Sequence, residues 1–314
     1  MDSGSDYLPL QQPGAGYETG AGSGAANYVT QQSPASAYAA PGQGSGGGAG
    51  TAPKAKNYIL PDPETGPWSG HKGRVPRVSV LPLYKMGQAP RYSEIKQQNI
   101  GNCYLAATLA ALANTQGGRR QIVKMIKAQR GAITTVCHAY DSENARGPEQ
   151  RLTSNRWFTV HFKGASVEVS DVLYHDDSDR DPNLMYMTTP NGDKALWGAI
   201  VEVAYAKLRG DYNKIGAGNI TVNQFLDEFS IVKWTILVPA KDKDPIKKAC
   251  KNAGKRASFI ATKFEGTKIL TQWHGYAVLG MSGEKVKLWD PFSGKAQEIE
   301  FSDLLSEVLA VITS

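Results

Sequence analysis

Apolar positions are spread very unevenly along the 314 residues. Residues 1–55 are Gly, Ala, Ser, Gln and Pro with a few spaced tyrosines, and hold no Trp, Phe or Ile. Such a stretch cannot bury enough apolar surface to offset the entropy of ordering it, so a disordered leader is expected. From Tyr104 to Ala113 the pattern reverses into an Ala/Leu run without Gly or Pro, which predicts a buried helix with Cys103 at or just before its N-terminus. Arg119–Arg130 reads as a second helix with Ile122, Val123, Met125 and Ile126 on its apolar side and Gly131 as its stop. A short strand at Ile133–Tyr140 and a polar loop at 141–147 follow. Period-two alternation then marks strands at Trp157–Phe162 and Val167–Val172, with Gly164 and Ala165 turning a hairpin between them.

Leu184–Thr188 reads as a further strand. Asp193 is placed to cap a helix over Lys194–Arg209, whose Trp197, Ile200, Val201, Ala204 and Leu208 recur at helical spacing. A helix at Thr221–Phe229 comes next. The remainder reads as strand 231–239, helix 243–252, strands 257–264, 273–280, 285–290 and 296–301, and a closing helix at Ser302–Thr313. Helices first and strands later argue for an α+β fold with a mostly antiparallel sheet. The expected organisation is a leader at 1–55, an extended Pro-rich segment at 56–95 anchored by Trp68 and Val78–Tyr84, and a folded domain at 96–314. Within the leader, Asp6–Tyr17 and Asn27–Tyr38 share Tyr, Gln, Pro and Tyr in register, as a drifting low-complexity tract would.

Charge changes this picture little. Asp2, Asp6, Glu18 and Lys54 leave residues 1–54 at −2, so the remainder carries +8 of a net +6. No Lys/Arg run is interleaved with aromatics, which argues against a nucleic-acid partner and for a basic, solvated surface. No apolar run approaches the roughly 18 residues of a membrane span, and no basic start precedes an apolar stretch as in a secretory signal. The expectation is a protein cytoplasmic as synthesised, with any export or injection independent of a cleaved signal. Cys103, Cys137 and Cys250 cannot all pair, and no Cys/His cluster has zinc spacing. The acidic loop His175–Asp181 (HDDSDRD) lacks the Gly and distal Glu of a calcium loop and reads as a solvated turn.

The chemistry-bearing candidates are few. Cys103 at a helix start lies where free backbone N–H groups favour a thiolate and supply donors for an oxyanion. A cysteine hydrolase also needs an imidazole and a group to orient it. His161 lies within a strand as an ordinary strand residue. His274 begins HGYAVLG, a strand that starts polar and turns apolar. Asp290 ends the next strand, in LWDPFSG, and a hairpin through Met281–Glu284 would bring the two together.

Three motifs in order resemble the protease core of the calpain family, within the papain-like cysteine peptidases. QQNIGNCYLAA (Gln97–Ala107) resembles the nucleophile signature. Trp197–Asn219 resembles a helix and Gly-rich turn that carry no catalytic residue, a likeness that catalysis alone would not demand. HGYAVLG (His274–Gly280) with VKLWDPFSG (Val286–Gly294) resembles the histidine strand and the stretch after it. The likeness spans about residues 90–300. It implies a papain-like two-lobed fold, with a helical lobe over about 96–230 and a sheet lobe over about 231–314. It further implies Cys103 as nucleophile, His274 as general acid/base and Gln97 as an oxyanion donor beside the Cys103 N–H. Asp290 stands where the family has Asn, Tyr104 where it has Trp, Gln98 where it has Gly, and Phe292 where it has Trp. Gln98, Gly101, Tyr104 and Trp273 are the candidates for the substrate cleft. The expected activity is cysteine endopeptidase cleavage of protein substrates through a Cys-His-Asp triad and a thioester. Deamidation or transamidation on the same scaffold and a non-catalytic binding module are the alternatives. The chemistry requires no cofactor or metal, and no residue-level feature supports Ca2+. The leader is an accessible segment for autoprocessing.

Overall fold

Alternation of apolar and polar residues draws the chain into strands well before the first clear period-two run. The computed structural model describes residues 56–63, 73–85, 88–98, 100–176, 187–188, 195–216, 222–229 and 232–314. The leader with its internal likeness, Trp68, Asp193, most of the strand expected at Leu184–Thr188 and all of HDDSDRD beyond Asp176 lie outside the described residues.

Helix α1 (Cys103–Ala113) forms as its composition predicts, and all eleven of its residues are buried. A helix apolar on every side has no solvent face to offer, and α1 accordingly lies in the middle of the molecule. Helix α2 (Gln116–Met125) starts with the Thr115 hydroxyl accepting the Gly118 N–H at 2.9 Å. It ends five residues before the expected end at Arg130. The chain from Ile126 is instead strand β3 (Ile126–Tyr140), paired over most of its length with β4 (Arg146–Phe162). Gly131, expected as a helix stop, lies inside β3 with φ 124, at an irregularity between Arg130 and Ile133 where the register shifts. Partner strands decided these residues against their weak helical periodicity.

Strands β1 (Lys56–Ile59), β2 (Arg74–Val78), β5 (Ala165–Ser170) and β6 (Val172–Asp176) complete a six-stranded sheet. Its order is β5-β4-β3-β2-β6, with β1 running parallel beside β3. Part of the Pro-rich segment is therefore sheet, and the expected helical lobe at 96–230 contains β3 to β6 as well as helices. Val78–Tyr84 is held by Arg156, which donates to the Leu81 and Ser79 carbonyls at 2.8 Å each and pairs with Asp171 at 2.9 Å. The Pro82 and Leu83 carbonyls accept the Leu196 and Trp197 N–H groups at the start of α3 (Trp197–Arg209).

A second sheet contains β7 (Thr235–Leu237), β8 (Ser258–Thr262), β9 (Gly275–Ser282), β10 (Lys285–Asp290), β11 (Lys295–Glu300) and β12 (Val308–Thr313). Its order is β11-β10-β9-β8-β12-β7, and every neighbouring pair is antiparallel. The expected C-terminal helix stops as α6 (Phe301–Glu307). Residues Val308–Thr313 are rich in β-branched side chains and fill the gap between β8 and β7, which a helix would leave as two open edges. Consecutive residues of this sheet face opposite cores. Phe259, Ala277, Trp289 and Ile312 pack toward the core around α1, while Ile260, Tyr276, Leu288 and Val311 pack against α5 (Lys243–Lys251) and α6. Both faces are covered, so the strands read as apolar runs rather than clean alternation. Helix α4 (Val222–Glu228) lies along α3's side of the molecule through Phe225, which meets Tyr205 at 5.8 Å. Among the described residues no helix is long and apolar enough to cross a membrane.

Candidate active site

Cys103 is the first residue of α1, and the Asn102 carbonyl accepts the Leu105 and Ala106 N–H groups at 2.9 and 3.2 Å. The Cys103 N–H sits in the first turn of the helix, where the geometry offers no intrahelical acceptor. Tyr104 anchors that turn: its hydroxyl donates to the Ile215 carbonyl at 2.8 Å and its ring meets Phe225 edge-on at 4.8 Å. The thiol faces the Trp273 carbonyl at 3.9 Å.

His274 precedes β9 and is clamped through Thr262. The His274 N–H donates to the Thr262 hydroxyl at 2.8 Å, and the His274 carbonyl accepts the Thr262 N–H at 3.0 Å. The ring stands edge-on to Tyr276 at 4.8 Å. Nε2 lies 2.8 Å from Asp290 Oδ1, which leaves Nδ1 as the nitrogen for Cys103. Burial by itself would lower the proton affinity of this imidazole. The hydrogen bonds to Asp290 and to the Cys103 thiol, with the negative charge both can carry, outweigh it and raise His274 to about 9.

Asp290 ends β10 and opens a turn. Its Oδ1 also accepts the Phe292 N–H at 2.8 Å, the pattern of an Asx-turn, and its carbonyl accepts the Gly294 N–H at 2.9 Å. Burial pushes its carboxyl up, but the bond from His274 and those from Ser293 and the Phe292 N–H hold it below the ordinary carboxylate value. The hairpin between β9 and β10 thus brings together two residues sixteen positions apart, as the turn spacing predicts.

Two hydrogen bonds tie the segment before Cys103 to this hairpin. The Gln97 N–H donates to the Pro291 carbonyl at 2.8 Å, and the Trp289 indole donates to the Ile95 carbonyl at 2.9 Å. Gln97 Nε2 donates to the Ile100 carbonyl at 2.6 Å, which orients the amide with one of its two N–H groups. Gly275 makes the closest approach. A Cβ there would lie 3.1 Å from the Cys103 carbonyl oxygen and 3.3 Å from Ala107 Cβ. Gly275→Ala is therefore expected to push β9, and His274 with it, off the end of α1. Overpacking costs about 1–3 kcal/mol, whereas displacing a reacting group by about 1 Å costs about 100-fold in rate. Steady-state kinetics of the folded variant should show a kcat loss of at least about tenfold, out of proportion to its loss in thermal stability.

An apolar cleft opens beside Cys103 and His274, lined by Tyr104, Val222, Ile236, Phe264 and Trp273 among others. Gln98 and Gly101 are not among its lining residues: Gly101 is buried in the turn before α1, closed by the Asn102 N–H on the Ile100 carbonyl at 2.9 Å, and Gln98 is half-buried beside it. Trp273 has a positive φ of 52 and meets Phe264 at 4.1 Å. A bulky residue in that region is strained and persists only where its surroundings enforce it. Glu307 supplies part of that enforcement, since its carboxylate accepts the N–H groups of Lys268, Ile269 and Leu270 in the loop before Trp273. Thr262, Phe264, Ile236 and Glu307 escaped the sequence reading, because each acts through a neighbour that is distant in the chain.

Among the described residues no group of three His, Cys, Asp or Glu side chains is placed to hold a metal ion. All three cysteines are free and buried. Burial, with a smaller effect of Glu149, raises Cys137 to about 11, and burial raises Cys250 to about 12. The family model that matches this chain is described as calpain family cysteine protease, and it covers residues 81–307.

Proposed function

Because the chain belongs to the calpain family of cysteine proteases, we propose that it cleaves peptide bonds in protein substrates through Cys103, His274 and Asp290. The observation that carries this reading is the 2.8 Å His274–Asp290 contact at the wall of the cleft that Cys103 lines from the start of α1. The Cys103 thiolate attacks the scissile carbonyl carbon, and the carbonyl π electrons move onto its oxygen. The Cys103 N–H and the second N–H of Gln97 Nε2 donate to that oxyanion. As the intermediate collapses, the His274 imidazolium gives its proton to the departing amine, leaving a thioester on Cys103. His274, now neutral, takes a proton from water as that water attacks the thioester, and acid and free thiolate are released. Asp290 keeps Nε2 protonated and the ring aligned in both halves. No cofactor takes part in these steps.

Incubation with a denatured cell extract, followed by mass spectrometry of new N-termini, tests this reading. Iodoacetamide-sensitive new N-termini are expected, and one falling within residues 1–55 would register autoprocessing. Side chains shifted by about 1 Da with no new N-termini would instead mark deamidation and overturn the proposal.

A further inference from the structure

Asn102 behaves unlike an asparagine at the start of a helix. The residue in that position ordinarily turns its side-chain oxygen back to accept an N–H of the first turn, because those groups have no other protein acceptor. Asn102 is the N-cap of α1 and is fully buried, yet its side chain makes no capping hydrogen bond and its Oδ1 has no partner. The amide is engaged elsewhere. Its Nδ2 donates at 2.6 Å to Oε1 of Glu202, on α3, a hundred residues away in the chain.

Glu202 is itself out of place by composition. It lies in IVEVAYA, the interior of an apolar helix, and has 0 % of its surface exposed. Its other oxygen accepts the Met187 N–H at 2.8 Å. Burial raises its carboxyl to about 7 against those two hydrogen bonds, so the group is held at an energetic disadvantage that an apolar side chain would avoid. An ionisable residue in that position does something that packing alone does not require.

We infer that Glu202 is a positioning residue for the reaction, and that it acts by holding the Asn102 side chain away from the N-terminus of α1. Released, Asn102 would cap the helix with Oδ1 and place a competing acceptor on the Tyr104 N–H beside the Cys103 N–H, the Leu105 N–H being already held by the Asn102 carbonyl. The Cys103 and Tyr104 N–H groups, left to face the cleft, supply the positive end of the helix to the thiolate and to the developing oxyanion. The inference rests on the protease reading and adds to it a contact between α3 and the residue before the nucleophile.

The test is a double-mutant cycle on the full-length protein, with peptide cleavage rates normalised to alkylatable Cys103 so that misfolded material does not count. Glu202→Leu removes the acceptor while filling the apolar site, and it should lower kcat at least tenfold with KM within threefold. Glu202→Gln keeps an acceptor for Asn102 Nδ2 and should stay within about threefold of wild type. Asn102→Ala removes the competing cap, so adding it to Glu202→Leu should raise the rate to that of Asn102→Ala alone. If Glu202 only supports the core, the two losses multiply and Gln fares no better than Leu; either outcome overturns the inference. A wild type without thiol-dependent cleavage sinks the protease reading and this inference with it. A wild type that cleaves, matched per titrated site by Glu202→Leu, sinks this inference alone.

Discussion

Cys103→Ala is expected to lower peptide-bond cleavage by at least about 10⁴-fold, because removing the nucleophile of a covalent mechanism leaves only binding and oxyanion stabilisation. No other thiol can substitute. Cys137 in β3 and Cys250 in α5 are held protonated at neutral pH by burial, and neither lines the cleft. The substitution should leave the fold intact, since the thiol makes only a weak contact with the Trp273 carbonyl at 3.9 Å. Burst titration with a thiol-reactive epoxide, read beside circular dichroism, checks both halves. One equivalent should label the wild type and none the variant, with unfolding free energies equal to within about 1 kcal/mol. Residual turnover within tenfold of wild type would falsify the role assigned to Cys103.

Asp290→Ala should reduce kcat by about 10²–10⁴-fold, the range expected when the partner that sets the imidazole tautomer and stabilises its cation is lost. Asp290→Asn retains acceptors for His274 Nε2 and the Phe292 N–H and should lose much less. The two variants separate orientation from charge, and the pH profile supplies the second readout. His274 in the folded protein protonates at about 9, above its ordinary value of 6.5. The imidazolium therefore persists to about pH 9, and the alkaline limb of kcat/KM in the wild type should fall there. Removing the Asp290 charge takes away part of what raises it, so both variants should show that limb at lower pH. The sign for stability follows from the same shift. The folded state binds the proton more tightly than the unfolded chain, so the contribution is complete below about pH 6.5 and is lost as pH rises through about 9. Thermal melts across that window should fall in the wild type and fall less in Asp290→Ala. An unmoved alkaline limb in both variants would remove Asp290 from the mechanism.

The candidate site was more legible in the sequence than the fold around it. Cys103 before an apolar run, His274 at a strand mouth and Asp290 at a turn are each marked by local chemistry: a helix start, a polar-to-apolar strand and a strand end followed by Pro291 and Gly294. Local signals of that kind depend on a few adjacent residues, and they survive in one dimension. The hairpin between β9 and β10 is equally local, so the meeting of His274 with Asp290 could be anticipated from spacing. Strands β3 and β4 could not be bounded this way. The 126–130 segment has helical periodicity, and only pairing with 156–160 makes it extended. Val308–Thr313 continues the amphipathic pattern of α6 but is claimed by β8 and β7.

By itself the sequence determined which residues are the candidates for chemistry, the buried helix that starts at Cys103, the antiparallel β8–β11 region and the family to which the motifs point. Those features rest on composition and on contacts between neighbours in sequence. Tertiary structure alone decided that the first half of the domain carries a sheet of six strands, that β9 lies close enough to α1 to exclude a Cβ at Gly275, and that Glu307 and Glu202 support the loops flanking the thiol. Each of these depends on two segments separated by tens to hundreds of residues. Whether their groups meet is set by how whole elements pack, and no window along the chain contains both partners.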